Sequence, residues 1–206
     1  MFDGAIIDIF NNVWPLLVLV SIIVLSLRIS YLIKYKKEFV FYKEMISFAF
    51  ILYVLCLFYV VTFQDVSWST SNFIPFKEMF RYSFGSKLFF KNVLGNMLMF
   101  MPYGFFVAYL LKLNKCRFML FLSLLVSLSI ETIQACIGRV FDVDDIILNI
   151  VGSIIGFYIF RLIYKIKSNL PDFLKKDIIY NILMVVIIIL MLIYMLNVFG
   201  VNLWTK

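Results

Sequence analysis

The chain has 206 residues, of which 64% are hydrophobic, and its mean hydropathy is +1.02. A soluble domain is nearer half apolar and cannot bury this much apolar surface in so small a volume, so the composition indicates an integral membrane protein. The net charge of +7 would suggest nucleic-acid binding in a soluble chain. Here the basic residues fall in short loops between apolar runs, where they set membrane topology, and we expect no nucleic-acid partner.

Histidine is absent, and the three cysteines, Cys56, Cys116 and Cys136, are widely spaced. The absence of histidine excludes serine–histidine triads, HExxH zinc sites and haem ligation by histidine. The cysteines form neither a disulfide framework nor a metal-ligand pattern. Any acid–base chemistry must therefore depend on Glu, Asp, Lys, Tyr or Cys side chains.

Six segments come close to or reach the roughly 20 apolar residues that a helix needs to span a bilayer. They are Val13–Ile33, Ile46–Phe63, Val93–Leu111, Phe118–Ile137, Ile146–Tyr164 and Ile178–Phe199. No linker, repeat or low-complexity tract separates them. The prediction is an all-α, polytopic bundle of about six transmembrane helices that forms a single membrane domain over residues 1–206.

Lysine and arginine are distributed unevenly among the loops. The loops after the first, third and fifth spans, counted together with Arg28 and Arg161 near the ends of their spans, carry 13 of these residues, and the opposite side carries 6. By the positive-inside rule the first group is cytoplasmic, so both termini are expected outside the cytoplasm. Trp14, Trp68 and Trp204 agree, because each would then lie at the outer membrane interface.

The outer loop Gln64–Asn92 contains a patterned stretch. Phe76, Phe80 and Phe84 follow Pro75 at intervals of four residues. This spacing predicts a short amphipathic segment that lies in the outer membrane interface. Two interpretations remain open, a connector that rests on the membrane and a lid over the polar residues described next.

Polar side chains are concentrated where the third, fourth and fifth spans reach the predicted outer side. The seven candidates are Asn96, Glu131, Gln134, Arg139, Asp142, Asp145 and Asn149. A charged side chain inside a bilayer is costly, which makes Glu131 a functional candidate. It must keep a cationic partner or bind a proton, and Arg139 is the nearest basic residue in sequence. We expect the candidates to share one outward-facing cavity.

The charged candidates other than Glu131 also have structural interpretations. Asp142, Asp144 and Asp145 precede a helix, where carboxylates accept hydrogen bonds from free N–H groups and suit the positive end of the helix dipole. Asp144 or Asp145 is the favoured capping residue. Arg139 could pair with a neighbouring aspartate.

The neutral candidates have structural interpretations as well. Asn149 lies on one helix face with Gly152 and Gly156, and such small residues allow close contact between helices. Packing is the favoured interpretation for the two glycines. Asn96, Gln134 and Asn149 could join helices by hydrogen bonds.

Four short motifs follow one another along the chain, and their order and spacing together form a specific pattern. They are NFIPF at Asn72–Phe76, NVLGNMLMFMPYG at Asn92–Gly104, SIETIQ at Ser129–Gln134 and GRVFDVDD at Gly138–Asp145, followed by Asn149, Gly152 and Gly156. This pattern resembles the VanZ-like family of bacterial membrane proteins, which is named for an accessory protein of teicoplanin resistance. The resemblance covers a core over residues 72–160 and leaves the sixth span, 178–199, as an addition. It implies a cell-envelope membrane protein and lowered susceptibility to lipoglycopeptide antibiotics.

The leading hypothesis for function is an outward-facing binding protein in contact with membrane lipids. Its ligand would be the head group of an envelope lipid, a cell-wall precursor lipid or a membrane-anchored (lipo)glycopeptide. Arg139 would bind an anionic group through its planar fork, and Asn96, Gln134 and Asn149 would supply hydrogen bonds.

The alternative hypothesis is an enzyme that acts on such a head group. Glu131 would be the general acid or base, with Asp142 or Asp145 as a second carboxylate. Carboxylate oxygens suit Mg²⁺ or Ca²⁺, but no motif supports either metal, and no cofactor is assigned. Transport ranks last, because the inner halves of the spans contain few polar residues.

Overall fold

The computed structural model describes residues 2–63, 71–77, 79–81, 83, 86 and 89–198. Within these ranges six helices are long and apolar enough to cross a membrane. They are α1 (Phe2–Tyr35), α2 (Phe41–Phe63), α3 (Gly95–Leu111), α4 (Cys116–Cys136), α5 (Val143–Asn169) and α6 (Asp177–Val198). The same ranges contain no β-strand beyond one isolated bridge. The all-α class and the six predicted spans are confirmed.

The chain divides into two compact units, Met1–Tyr59 with Asn169–Lys206, and Val60–Ser168. In the first unit, polar contacts tie the helix ends together. Arg28 Nε lies 2.7 Å from Glu44 Oε2, and the Tyr42 hydroxyl donates a hydrogen bond to Asp177 at 3.2 Å. The second unit contains all seven candidate residues.

Helices α3 and α5 of the second unit are in close contact at two glycines. A Cβ atom on Gly152 would collide with the carbonyl oxygen of Met97, and one on Gly156 with that of Met101. Since Met97 faces Gly152 and Met101 faces Gly156, the two helices run in the same direction, as expected of a third and a fifth span. The predicted packing role of both glycines is confirmed.

A third glycine contributes to the same contact. A Cβ atom on Gly104 of α3 would collide with the backbone of Ser153 in α5. Gly104 closes the motif NVLGNMLMFMPYG, whose pattern predicted no packing role for it. Small residues therefore come from both helices, which lets the two backbones approach each other in lipid.

Helix α4 has one buried stripe at intervals of four residues. Met119, Ser123, Ser127 and Glu131 are its buried members. The remaining surface of α4 is largely exposed and apolar, with side chains such as Phe121. This is the arrangement of a membrane helix that turns its polar stripe inward, and it brings Glu131 into the unit.

The loop between α2 and α3, which the sequence predicts to be the outer loop, is held by backbone pairing as well as by side chains. The N–H of Asn72 donates to Phe141 O at 2.9 Å, and the N–H of Val143 donates to Asn72 O at 3.1 Å. Among the described residues of this loop, Met79–Arg81 form one turn of 3₁₀ helix, and a π-helical turn, Phe90–Leu94, leads into α3.

The aromatic side chains predicted for the interface are only partly described. Phe76 is 48% exposed and Phe80 is 83% exposed, as expected for side chains that face lipid head groups. Phe84, Trp68 and Trp204 lie outside the described residues.

Candidate functional site

A polar cavity of about 70 Å³ lies where four helix ends of the second unit meet. The ends are the last turns of α2 and α4 and the first turns of α3 and α5. Six of the seven candidate residues line it, namely Asn96, Glu131, Gln134, Arg139, Asp145 and Asn149. Asp142, the seventh, does not.

Glu131 is buried at the wall of the cavity with only 2% of its surface exposed. Its Oε2 accepts a hydrogen bond from the N–H of Asp142 at 2.9 Å. The chain can return over the end of α4 because Gly138 adopts a left-handed conformation, with φ of 82°, a backbone geometry that suits glycine. A buried carboxylate thus finds a backbone donor in the loop that follows its own helix.

Arg139 and Gln134 share one acceptor at the end of α2. The guanidinium Nη1 of Arg139 donates to Val61 O, and Gln134 Nε2 donates to the same oxygen at 3.1 Å. Val61 lies in the last turn of α2, where carbonyl groups have no partner within the helix and a cation is favoured by the dipole. The two side chains therefore cap α2.

The structural alternative in which Arg139 pairs with a neighbouring aspartate is not found in the described part of the chain. No carboxylate of the described residues lies within 4.0 Å of the Arg139 guanidinium. The guanidinium instead donates to the carbonyl oxygen of Val61 at the end of α2. The capping role of Arg139 was not predicted from the sequence. The sequence does contain one indication of it, because the last turn of α2 has no basic residue that could bond the free carbonyl groups of that helix.

Two amides connect the helices around the cavity. Asn96 Nδ2 donates to Asp145 Oδ1, which joins α3 to α5. Asn149 Nδ2 donates to Ser127 Oγ at 3.0 Å, which joins α5 to α4. Asn149 is 3% exposed, and its Oδ1 has no hydrogen-bond partner. Hydrogen bonds of this kind were expected from the sequence, but Ser127 was not predicted as a partner.

Asp142 caps α5 instead of facing the cavity, which corrects its expected placement. Its Oδ1 accepts hydrogen bonds from the N–H of Asp144 and from Asn72 Nδ2, each at 2.9 Å. The residue directly before a helix is placed to bond the free N–H groups of the first turn. Capping was expected of Asp144 or Asp145, and Asp142 performs it.

Asp144 holds the outer loop. It is 1% exposed and accepts hydrogen bonds from the backbone N–H of Phe76 and, at 3.0 Å, of Met79. Phe76 has a left-handed φ of 68°, which is unusual for an aromatic residue. The last residue of the motif NFIPF thus binds the carboxylate of Asp144 through its backbone N–H, a role that the spacing of the loop did not predict.

The fold and the cavity together define a class. Six apolar helices in the described residues, with buried polar groups at the ends of four of them, are typical of a multi-pass membrane protein. The VanZ/LLP1 family model matches residues 50–164, more than half of the chain. The chain therefore belongs to this family.

The matched region contains every residue that lines the cavity. It begins ahead of the core expected at residue 72 and so includes the half of α2 that Arg139 and Gln134 cap. No match to the chain was found among curated proteins or among solved structures.

Proposed function

We propose that this protein binds the polar head of an envelope lipid or cell-wall precursor lipid in the cavity, and thereby lowers susceptibility to glycopeptide antibiotics. The observation that carries the proposal is the collection of six polar side chains around one cavity in an otherwise apolar helical unit. Buried polar and charged groups destabilise a fold unless they are satisfied, so their collection at one place calls for a ligand. The family's association with teicoplanin resistance supports the link to antibiotics.

The size of the cavity limits what it can accept. A volume of about 70 Å³ corresponds to about five water-sized spheres. A small charged or polar group fits this space, whereas a whole glycopeptide does not. The ligand therefore inserts one group and leaves the rest of its structure in the membrane or at its surface, which favours a lipid head group.

Arg139 retains a part in this binding, but a reduced one. Its guanidinium carries five N–H donors, and the capping of Val61 engages Nη1. Donors that remain can bind a phosphate or carboxylate at the cavity wall. The amides of Asn96 and Gln134 already donate within the protein, so they act mainly by positioning their neighbours.

An enzymatic function is the second candidate, because two carboxylates face the same small cavity. Glu131 and Asp145 both line it, while Asp142 does not. A pair of this kind can exchange a proton with a bound head group. Incubation of the purified protein with an envelope lipid extract, followed by mass spectrometry, tests this candidate. A product that forms with the wild type and not with Glu131→Gln would favour the enzyme over the binding protein.

The proposed binding function predicts a loss of phenotype for Glu131→Gln. Wild-type protein expressed in a susceptible bacterium should raise the minimal inhibitory concentration of teicoplanin. Glu131→Gln keeps the shape and removes the charge, so it should abolish the increase while the protein still accumulates in the membrane. Asp172→Asn is the matched control, since its carboxylate is 99% exposed and far along the chain from the cavity. Unchanged resistance with Glu131→Gln would contradict the proposal.

A further inference from the structure

The oxygen atoms at the cavity are not all satisfied by the protein. Glu131 accepts one hydrogen bond through Oε2, and Asp145 accepts one through Oδ1. No described residue donates to Glu131 Oε1 or to Asp145 Oδ2. Each carboxylate oxygen can accept at least one hydrogen bond, so both of these cavity-lining side chains have acceptor capacity left.

A third acceptor is independent of these charges. Asn149 lines the cavity, is 3% exposed, and its Oδ1 is buried without a hydrogen-bond partner. A buried amide oxygen without a donor costs about 1 to 3 kcal/mol of desolvation. Folding tolerates this cost if a ligand supplies the donor.

The balance of charge favours a cationic donor. Glu131 and Asp145 are acidic, and Arg139 is the basic residue among the lining groups. Its guanidinium is turned to the carbonyl end of α2. A ligand with a single positive charge would offset the excess of carboxylates, whereas an anion would add to it.

The number and type of acceptors separate an ammonium group from a metal ion. Ca²⁺ takes six to eight oxygen ligands, and Mg²⁺ requires near-octahedral geometry. Within the described residues no group of three or more His, Cys, Asp or Glu side chains is arranged to hold a metal. A primary ammonium group has three N–H donors, and three residues that line the cavity, Glu131, Asp145 and Asn149, each have an oxygen without a donor among the described residues.

We propose that the cavity binds a primary ammonium group, with one N–H donated to each of Glu131, Asp145 and Asn149. This inference rests on the proposed function and names the chemical class of the head group that enters. The ammonium could belong to an aminophospholipid or to a small free amine. Both sources present the same three donors, and the experiment below distinguishes them.

The test uses a series in which methyl groups replace N–H donors one at a time. The full-length protein is placed in phosphatidylcholine nanodiscs, whose quaternary ammonium has no N–H. Phosphatidylethanolamine and its N-methyl and N,N-dimethyl derivatives are then added, and bound lipid is counted by native mass spectrometry. We expect affinity to fall by about tenfold for each N–H removed, as for loss of a hydrogen bond to a charged group. This series is measured on the wild type and so does not depend on a variant that folds.

Variants connect the binding to the cavity. Glu131→Gln and Asp145→Asn should each lower the affinity for phosphatidylethanolamine at least tenfold, and Asn149→Leu, which removes the amide oxygen at similar volume, should do likewise. Asp172→Asn should leave it unchanged.

A second arm replaces lipid with methylammonium chloride, with tetramethylammonium chloride as control, and follows the thermal unfolding midpoint. Stabilisation by methylammonium would show that a free amine is sufficient. Binding of phosphatidylethanolamine alone would identify the lipid as the source.

Several outcomes would overturn the inference. Equal affinity along the methylation series would show that the N–H donors are not recognised. Tight binding of phosphatidylglycerol that is lost on Arg139→Lys would support the proposed lipid binding and exclude the ammonium. Stabilisation by MgCl₂ or CaCl₂ that Glu131→Gln abolishes would assign the acceptors to a metal. Binding of methylammonium together with no binding of phosphatidylethanolamine is a separate case, which would contradict the proposed lipid function and leave the ammonium site in place.

Discussion

At the scale of single residues, neighbouring aspartates of one short motif have three different roles. Asp142 caps α5, Asp144 holds the outer loop, and Asp145 bonds Asn96 at the cavity. The sequence predicted that a carboxylate in this motif would cap the helix and that others would face a polar site. It could not assign the roles, because they depend on Asn72 and Phe76, which lie some 70 positions earlier in the chain.

Asp144→Ala should detach the outer loop. The change removes the acceptor for the N–H groups of Phe76 and Met79, and a buried donor that loses its acceptor costs about 1 to 3 kcal/mol. We expect a lower unfolding midpoint in detergent and faster proteolytic cleavage within residues 71–81. Asp172→Ala, at an exposed carboxylate, is the control. If the rate of cleavage in this segment stays at the wild-type level, Asp144 does not hold the loop.

The cavity itself was largely predictable at this scale. Polar residues in apolar spans are rare, and their positions near three helix ends indicated one shared site. Six of the seven candidates do line one cavity. The roles of Arg139 and Gln134 were harder to predict, because their acceptor is a backbone carbonyl of α2, and the sequence indicates only that the last turn of α2 has no basic residue of its own to bond it.

At the scale of elements, hydropathy located the spans but not every helix end. Helix α5 continues to Asn169, five positions beyond the predicted end at Tyr164. The added turn contains Lys165 and Lys167, which form helix well and suit the negative end of the dipole. Hydropathy predicts only the part of a helix that lies in the lipid, whereas the backbone hydrogen bonds of the helix continue into water.

Gly152→Leu should separate α3 from α5. A side chain at this position would meet the Met97 carbonyl, and overpacking of a close contact costs about 1 to 3 kcal/mol. The unfolding midpoint in detergent should fall clearly. Val151→Leu adds a methylene at the adjacent position, which is 37% exposed, and should have little effect. Comparable losses for the two variants would argue against a close contact at Gly152.

At the scale of the whole molecule, the parallel course of α3 and α5 fits an alternating path across a membrane. Helix α4 lies between them in sequence, so a chain that crosses three times must start α3 and α5 on the same side. No contact within the protein indicates which side of the membrane is cytoplasmic. That prediction depends on the distribution of basic residues among the loops. The distribution of 13 basic residues against 6 predicts that the cavity lies on the outer side.

Cysteine accessibility tests this orientation. In a chain whose Cys56, Cys116 and Cys136 are replaced by serine, a new cysteine is introduced either at Lys77 in the outer loop or at Lys115 between α3 and α4. Both positions are exposed. A membrane-impermeant maleimide should label intact cells at position 77 and should reach position 115 only after the membrane is opened. The opposite pattern would place the cavity on the cytoplasmic side, where an antibiotic that acts outside the cell could not meet it. The ammonium site would then have to serve a lipid of the inner leaflet.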